Sequence, residues 1–125
     1  MRGVSAALLC GLVIASPVQA EMSVSTFVGK ADALKRKGFM AIGSPDIKLL
    51  QNEMQGVTTA YRADIKGARA ADRTPHSCPP ETPQRMSSDE LLAHFRTIPA
   101  AQAQKTSIKT AFYGMMKKRY PCPAG

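Results

Sequence analysis

The chain has 125 residues, with 17 Lys+Arg against 9 Asp+Glu, a formal net charge of +8, three cysteines and no tryptophan. That length holds one small domain and excludes a large enzyme. No stretch reaches the ~20 apolar residues that a membrane-spanning helix needs. In chain order, Arg2 precedes an uncharged apolar run from Val4 to Ala15, followed by Ser16-Pro17-Val18-Gln19-Ala20. A positive start, a short apolar run and small residues at its end form the pattern of a secretory signal peptide. Residues 1–20 are therefore expected to be a signal peptide cleaved near Ala20. This destines the rest for the periplasm and excludes a cytosolic location. Cys10, preceded by Leu9 inside the apolar run, is not placed as a lipoprotein cysteine and is expected to leave with the signal.

The remaining helical domain, 21–125, keeps two cysteines, Cys78 and Cys122. Two cysteines in an oxidising compartment have a single intramolecular connectivity, so a Cys78–Cys122 disulfide is expected. The competing reading is a reactive or metal-binding thiol, suggested by His76-Ser77-Cys78. It lacks a third and fourth ligand at zinc-like spacing.

Four helices follow from capping and periodicity. Ser25 is the expected cap of a first helix to about Lys37, with Phe27, Ala31 and Leu34 on one face and Gly38 as its stop. Gly38 to Gly43 reads as a short apolar connection. Ser44-Pro45, a cap followed by proline at the first helical position, opens a long helix over about 45–70. Its stripe is Ile47, Leu50, Met54, Val57, Tyr61, Ile65 and Ala68, and Arg62, Lys66 and Arg69 are among the residues of a solvated face. Gly56 and Gly67 weaken it, and fraying is expected at the Gly67 end.

Residues 72–86 hold Pro75, Pro79, Pro80 and Pro83 and no periodicity, which gives an irregular connection pinned at Cys78. Ser87 and Glu90 form a capping box, with Met86 and Leu91 as its hydrophobic staple, for a third helix that buries Leu91, Leu92, Phe95 and Ile98. Pro99 ends it, and Ala100 to Lys105 is ambiguous. Thr106 or Ser107 caps a last helix with Ile108, Ala111, Phe112 and Met115 inward. One apolar stripe per helix requires the helices to pack on one another. The expected fold is all-α: a compact four-helix domain with one disulfide, which staples the last two helices into a hairpin over 87–122.

Catalytic groups are sparse. His76 and His94 have no convergent partners, Asp89 and Glu90 suit the first turn of a helix, and no phosphate loop, G-x-S-x-G or H-E-x-x-H occurs. No enzyme, cofactor or metal is expected. Positive charge gathers in Lys35-Arg36-Lys37 and Lys117-Lys118-Arg119, each in the last turn of an expected helix. There it complements the helix dipole, and it also offers a footprint for an anionic partner. Export argues against nucleic acid and leaves an acidic protein, anionic lipid head groups or an envelope polymer.

The segment from Cys78-Pro79-Pro80, through Met86-Ser87-Ser88-Asp89-Glu90-Leu91-Leu92-Ala93-His94-Phe95 and Ile98-Pro99, to Tyr120-Pro121-Cys122 resembles the C-terminal half of the Rap/Tai family of type VI secretion immunity proteins. The resemblance implies an all-helical exported protein that binds and blocks a peptidoglycan amidase effector, and it makes a homodimer an option. Cys78 and Cys122 match the family's disulfide positions; Pro79, Leu91, Pro99 and Pro121 match structural ones. No effector-contacting residue carries over. Ahead of this segment the family usually has further cysteines and a glycine-tyrosine stretch, of which Gln55-Gly56-Val57 to Tyr61 is a loose echo. The alternative class is a periplasmic stress, chaperone-like or envelope-binding helical protein.

Overall fold

A computed structural model describes residues 21–124; the expected signal peptide, 1–20, lies outside them. The helices are α1 (Val24–Lys37), α2 (Pro45–Ala70), α3 (Ser88–Arg96), α4 (Ala100–Ala103) and α5 (Ile108–Arg119), with a 3₁₀ turn at Gly38–Ala41. The fold is all-α, and the single turn of α4 falls in the stretch the sequence left ambiguous.

The first helix is capped by Ser23, not Ser25. Ser23 is extended (φ −74°, ψ 155°) and its hydroxyl accepts from the Thr26 amide. The reason is tertiary. Ser23 forms an isolated antiparallel bridge with Ser107, through Val24 N–H to Thr106 C=O at 2.8 Å and Ile108 N–H to Met22 C=O at 2.9 Å. The bridge holds the backbone extended at Ser23, so the helix starts at Val24 and Ser25 falls inside its first turn. Ser107 caps α5 in the same manner, accepting from the Thr110 amide. Two helices thus begin at one joint, each with a serine cap three residues before a threonine.

The α2 stripe turns inward: Leu50, Val57, Tyr61 and Ile65 are buried, and Ile47, Met54 and Ala68 are half-buried. α2 continues past Gly67 to Ala70, and Arg69 in its last turn donates to the Pro79 carbonyl at 3.0 Å. The capping box of α3 forms in both directions between Ser87 and Glu90. The Ser87 amide, with Arg119 contributing less, holds the Glu90 carboxyl below the usual carboxylate range.

Phe95, 1% exposed, sits where α1 and α3 meet. Its ring meets Phe27 edge-on, centroids 5.6 Å apart. Tyr61 makes the corresponding edge contact with Phe112 of α5 at 5.5 Å. Every expected inward residue of α5 is buried, and Met116 joins them. Polar ties at the surface fix the helix pairs: Lys30 to Asp46 at 3.0 Å, Arg96 to Asp32 at 2.6 Å and the Tyr113 hydroxyl to Asp64.

Residues 72–87 form neither helix nor strand, yet they are held at several points. Ser77 is fully buried and its hydroxyl bonds the Tyr61 hydroxyl. The Cys78 amide donates to the Tyr120 carbonyl at 2.8 Å. Cys78 and Cys122 are disulfide-bonded with Cα atoms 4.9 Å apart. Met86 packs on the core at the far end. No helix among the described residues is long and apolar enough to cross a membrane.

Candidate functional site

Two surfaces stand out, and neither was singled out by the sequence. The first is the connection between α1 and α2. Phe39, Met40 and Ile42 are 91%, 84% and 78% exposed. Hydropathy would bury such residues, but the connection is too tightly wound to fold back. Gly38 (φ 54°) and Gly43 (φ 87°) adopt backbone open to glycine. Ile42 N–H reaches Phe39 C=O at 3.2 Å, and Ser44 N–H, just past Gly43, reaches Ala41 C=O at 2.9 Å. Ala41 alone turns inward and is buried. The result is an ordered apolar tip, preceded directly by Lys35, Arg36 and Lys37, all exposed. These three occupy the last turn of α1 as expected.

The second surface is a groove of about 980 Å³ between the C-terminal half of α2, the proline-rich segment and α5. Tyr61, Ile65, Phe112 and Met116, all buried, line it together with the half-buried Met86. Arg62, Lys66 and Arg69 line it from α2, Arg85 from the proline-rich segment and Arg119 from the end of α5. Of the two expected basic clusters, only Arg119 lines the groove. Arg119 also lies 3.8 Å from Glu90 and over the Tyr120 ring, 5.7 Å from its centroid. Lys117 and Lys118 stay exposed in the last turn of α5.

No family model, curated protein or solved structure matches this chain. The functional reading therefore rests on the two surfaces and on the segment from Cys78 to Cys122.

The titratable groups bear on stability. Burial pushes the Tyr61 hydroxyl up against the opposing effect of Ser77, and burial followed by the hydrogen bond to Asp64 pushes Tyr113 up further. His94 goes the other way. Burial first, then the Lys118 charge, holds its imidazole below the ordinary histidine range, opposed by a hydrogen bond to the Ala111 backbone. A histidine with a depressed folded pKa binds protons more readily when unfolded, so the fold loses stability as pH falls from about 6.5. Urea unfolding midpoints at about pH 7.5 and 5.5 should show this loss in the wild type and a smaller one in His94→Gln. Equal losses in the two proteins would remove His94 from the account. Among the described residues no three His, Cys, Asp or Glu side chains are grouped to hold a metal ion, and Cys78 and Cys122 are both committed to the disulfide.

Proposed function

We propose that this chain is an exported helical binding protein of the immunity type, which occludes the cleft of a partner enzyme such as a type VI peptidoglycan amidase effector. The observation that carries the reading is the tip at Phe39, Met40 and Ile42. A monomeric surface rarely holds large apolar side chains so far out on an ordered turn without a use. A preformed projection suits insertion into a cleft, because little conformational freedom remains to be lost on binding. The family-like segment from Cys78 to Cys122 supports the class, and the basic residues behind the tip favour an acidic rim on the partner.

The reading is tested by inhibition and binding of amidases from the same or related strains. The triple variant Phe39→Ser/Met40→Ser/Ile42→Ser should fold normally, since exposed positions usually change stability by only about ±0.5 kcal/mol. It should bind the partner on the order of 100-fold more weakly, as expected for loss of central apolar anchors. Absence of binding and inhibition by the wild type across such a panel would reject the immunity reading.

A second reading is favoured by one specific observation, the sequence adjacency of Lys35-Arg36-Lys37 to the apolar tip. Cations beside exposed apolar side chains also suit an anionic lipid surface. Co-sedimentation with phosphatidylglycerol vesicles, lost at high salt, would favour this envelope-binding role. A homodimer through the tip is the remaining arrangement, and a monomer by light scattering across micromolar concentrations would contradict it. The α2 stripe does not call for a second copy, because Leu50, Val57, Tyr61 and Ile65 are already buried within one chain.

A further inference from the structure

We propose that the groove between α2, the proline-rich segment and α5 receives an extended acidic polypeptide segment in which acidic and apolar residues alternate. This goes beyond the role of the tip and does not depend on it.

Arg69 is tied to the Pro79 carbonyl and Arg119 lies near Glu90, whereas Arg62, Lys66 and Arg85 are exposed without such a tie. Arg62 and Lys66 lie before the last turn of α2, where the helix dipole gives no reason for positive charge. Arg85 lies outside any helix. The ion pairs among the described residues use Asp46, Asp32 and Glu90, so Arg62, Lys66 and Arg85 have no carboxylate partner there. Glu81 is the single acidic residue lining the groove. A merely solvated helix face would be convex and open to water. Here the same face meets a wall, and buried Tyr61, Ile65, Phe112 and Met116 line the space between.

The spacing selects an extended chain. Arg62, Lys66 and Arg69 follow one another at i, i+4 and i+7. A rise of 1.5 Å per residue separates them by about 6 Å and then about 4.5 Å along the axis. An extended peptide places alternate side chains about 6.6 Å apart, with those between them on its other face. One face can therefore set carboxylates near the flexible arms of these cations while the other sets apolar groups on the floor. A fatty acid or another amphiphile with one head group would neutralise one point of a charge distribution that runs along one wall and recurs on the opposite wall at Arg85. Single-stranded nucleic acid would need several open aromatic faces for stacking, whereas Tyr61 and Phe112 are buried and Arg119 lies over the ring of the half-buried Tyr120.

The wall is preorganised. Pro79, Pro80 and Pro83 fix the backbone φ at three points. The disulfide at Cys78 holds one end and the packing of Met86 holds the other. A groove that keeps its shape loses little on binding a short segment.

The experiment is fluorescence anisotropy with a fluorescein-labelled eight-residue peptide of alternating glutamate and leucine and the purified exported chain, disulfide intact. Saturable binding should weaken by about tenfold or more between roughly 50 and 500 mM NaCl. Arg62→Glu/Lys66→Glu should weaken it about 30-fold or more, and Arg62→Gln/Lys66→Gln by about tenfold. Lys48→Glu/Lys105→Glu changes net charge equally, at exposed positions that do not line the groove, and should stay within about threefold of wild type. A peptide alternating glutamate and serine should bind about tenfold more weakly, for want of apolar groups to bury. Equal weakening by the Lys48/Lys105 variant, equal binding of the serine peptide, or no binding of the leucine peptide would each overturn the proposal. So would palmitate binding that depends on Arg62 and Lys66 while the leucine peptide does not bind. Circular dichroism of each variant separates lost binding from lost folding, and failure of amidase inhibition would leave these outcomes unchanged.

Discussion

Replacing Cys78 and Cys122 together with serine should lower the unfolding free energy by about 4 kcal/mol. The bond joins residues 44 apart in sequence, and closing a loop of that size restricts the unfolded chain by about that amount. For a domain of this size the midpoint of thermal unfolding should fall by on the order of 20 °C. The pair also anchors one end of an irregular segment whose other ties include the Ser77–Tyr61 and Arg69–Pro79 hydrogen bonds. Urea unfolding of the oxidised wild type, the reduced wild type and the double serine variant makes the comparison. A loss of less than about 1 kcal/mol would mean that residual structure already restricts the unfolded chain without the bond.

Phe95→Ala should cost about 3–5 kcal/mol, the range for truncating a fully enclosed phenylalanine. Phe95 is 1% exposed and its ring contacts Phe27 of α1 edge-on. The same side chain therefore supplies burial and joins two helices that are otherwise tied at the surface by Arg96 and Asp32. Part of the cost, about 0.5–1.5 kcal/mol, should belong to the aromatic pair itself. A double-mutant cycle with Phe27→Ala isolates that part. Phe95→Leu should cost less than Phe95→Ala because it leaves a smaller cavity. A Phe95→Ala cost under about 2 kcal/mol would mean that the core collapses into the vacated space.

Most helices were legible because their signals are local. Ser44-Pro45 and the Ser87–Glu90 box announce starts within four residues, and the stripe from Ile47 to Ala68 repeats long enough to define a face. The disulfide was legible from the cysteine count. What escaped is non-local. Ser23 displaced Ser25 as the first cap because its partner, Ser107, lies at the other end of the chain. Periodicity could place Arg62 and Lys66 on the outer edge of α2. It could not show that an aperiodic proline-rich segment returns to make that edge one wall of a groove. The composition of Phe39, Met40 and Ile42 marks an apolar connection, and nothing in it shows that two positive-φ glycines flank a turn that exposes them. Met116 was missed because the face assigned to α5 ended at Met115, one position short of the helix's inward surface.

The loop closed by Cys78 and Cys122 contains the proline-rich wall and all of α3, α4 and α5. An endoprotease that cuts once inside this circle leaves the two pieces of polypeptide covalently joined. The exposed residues Pro80 to Arg85 fall within it. A nick there would open the ring without shedding a fragment, so the protein tolerates a first cleavage as one molecule and comes apart only after a second event, either another cut or reduction of the bond.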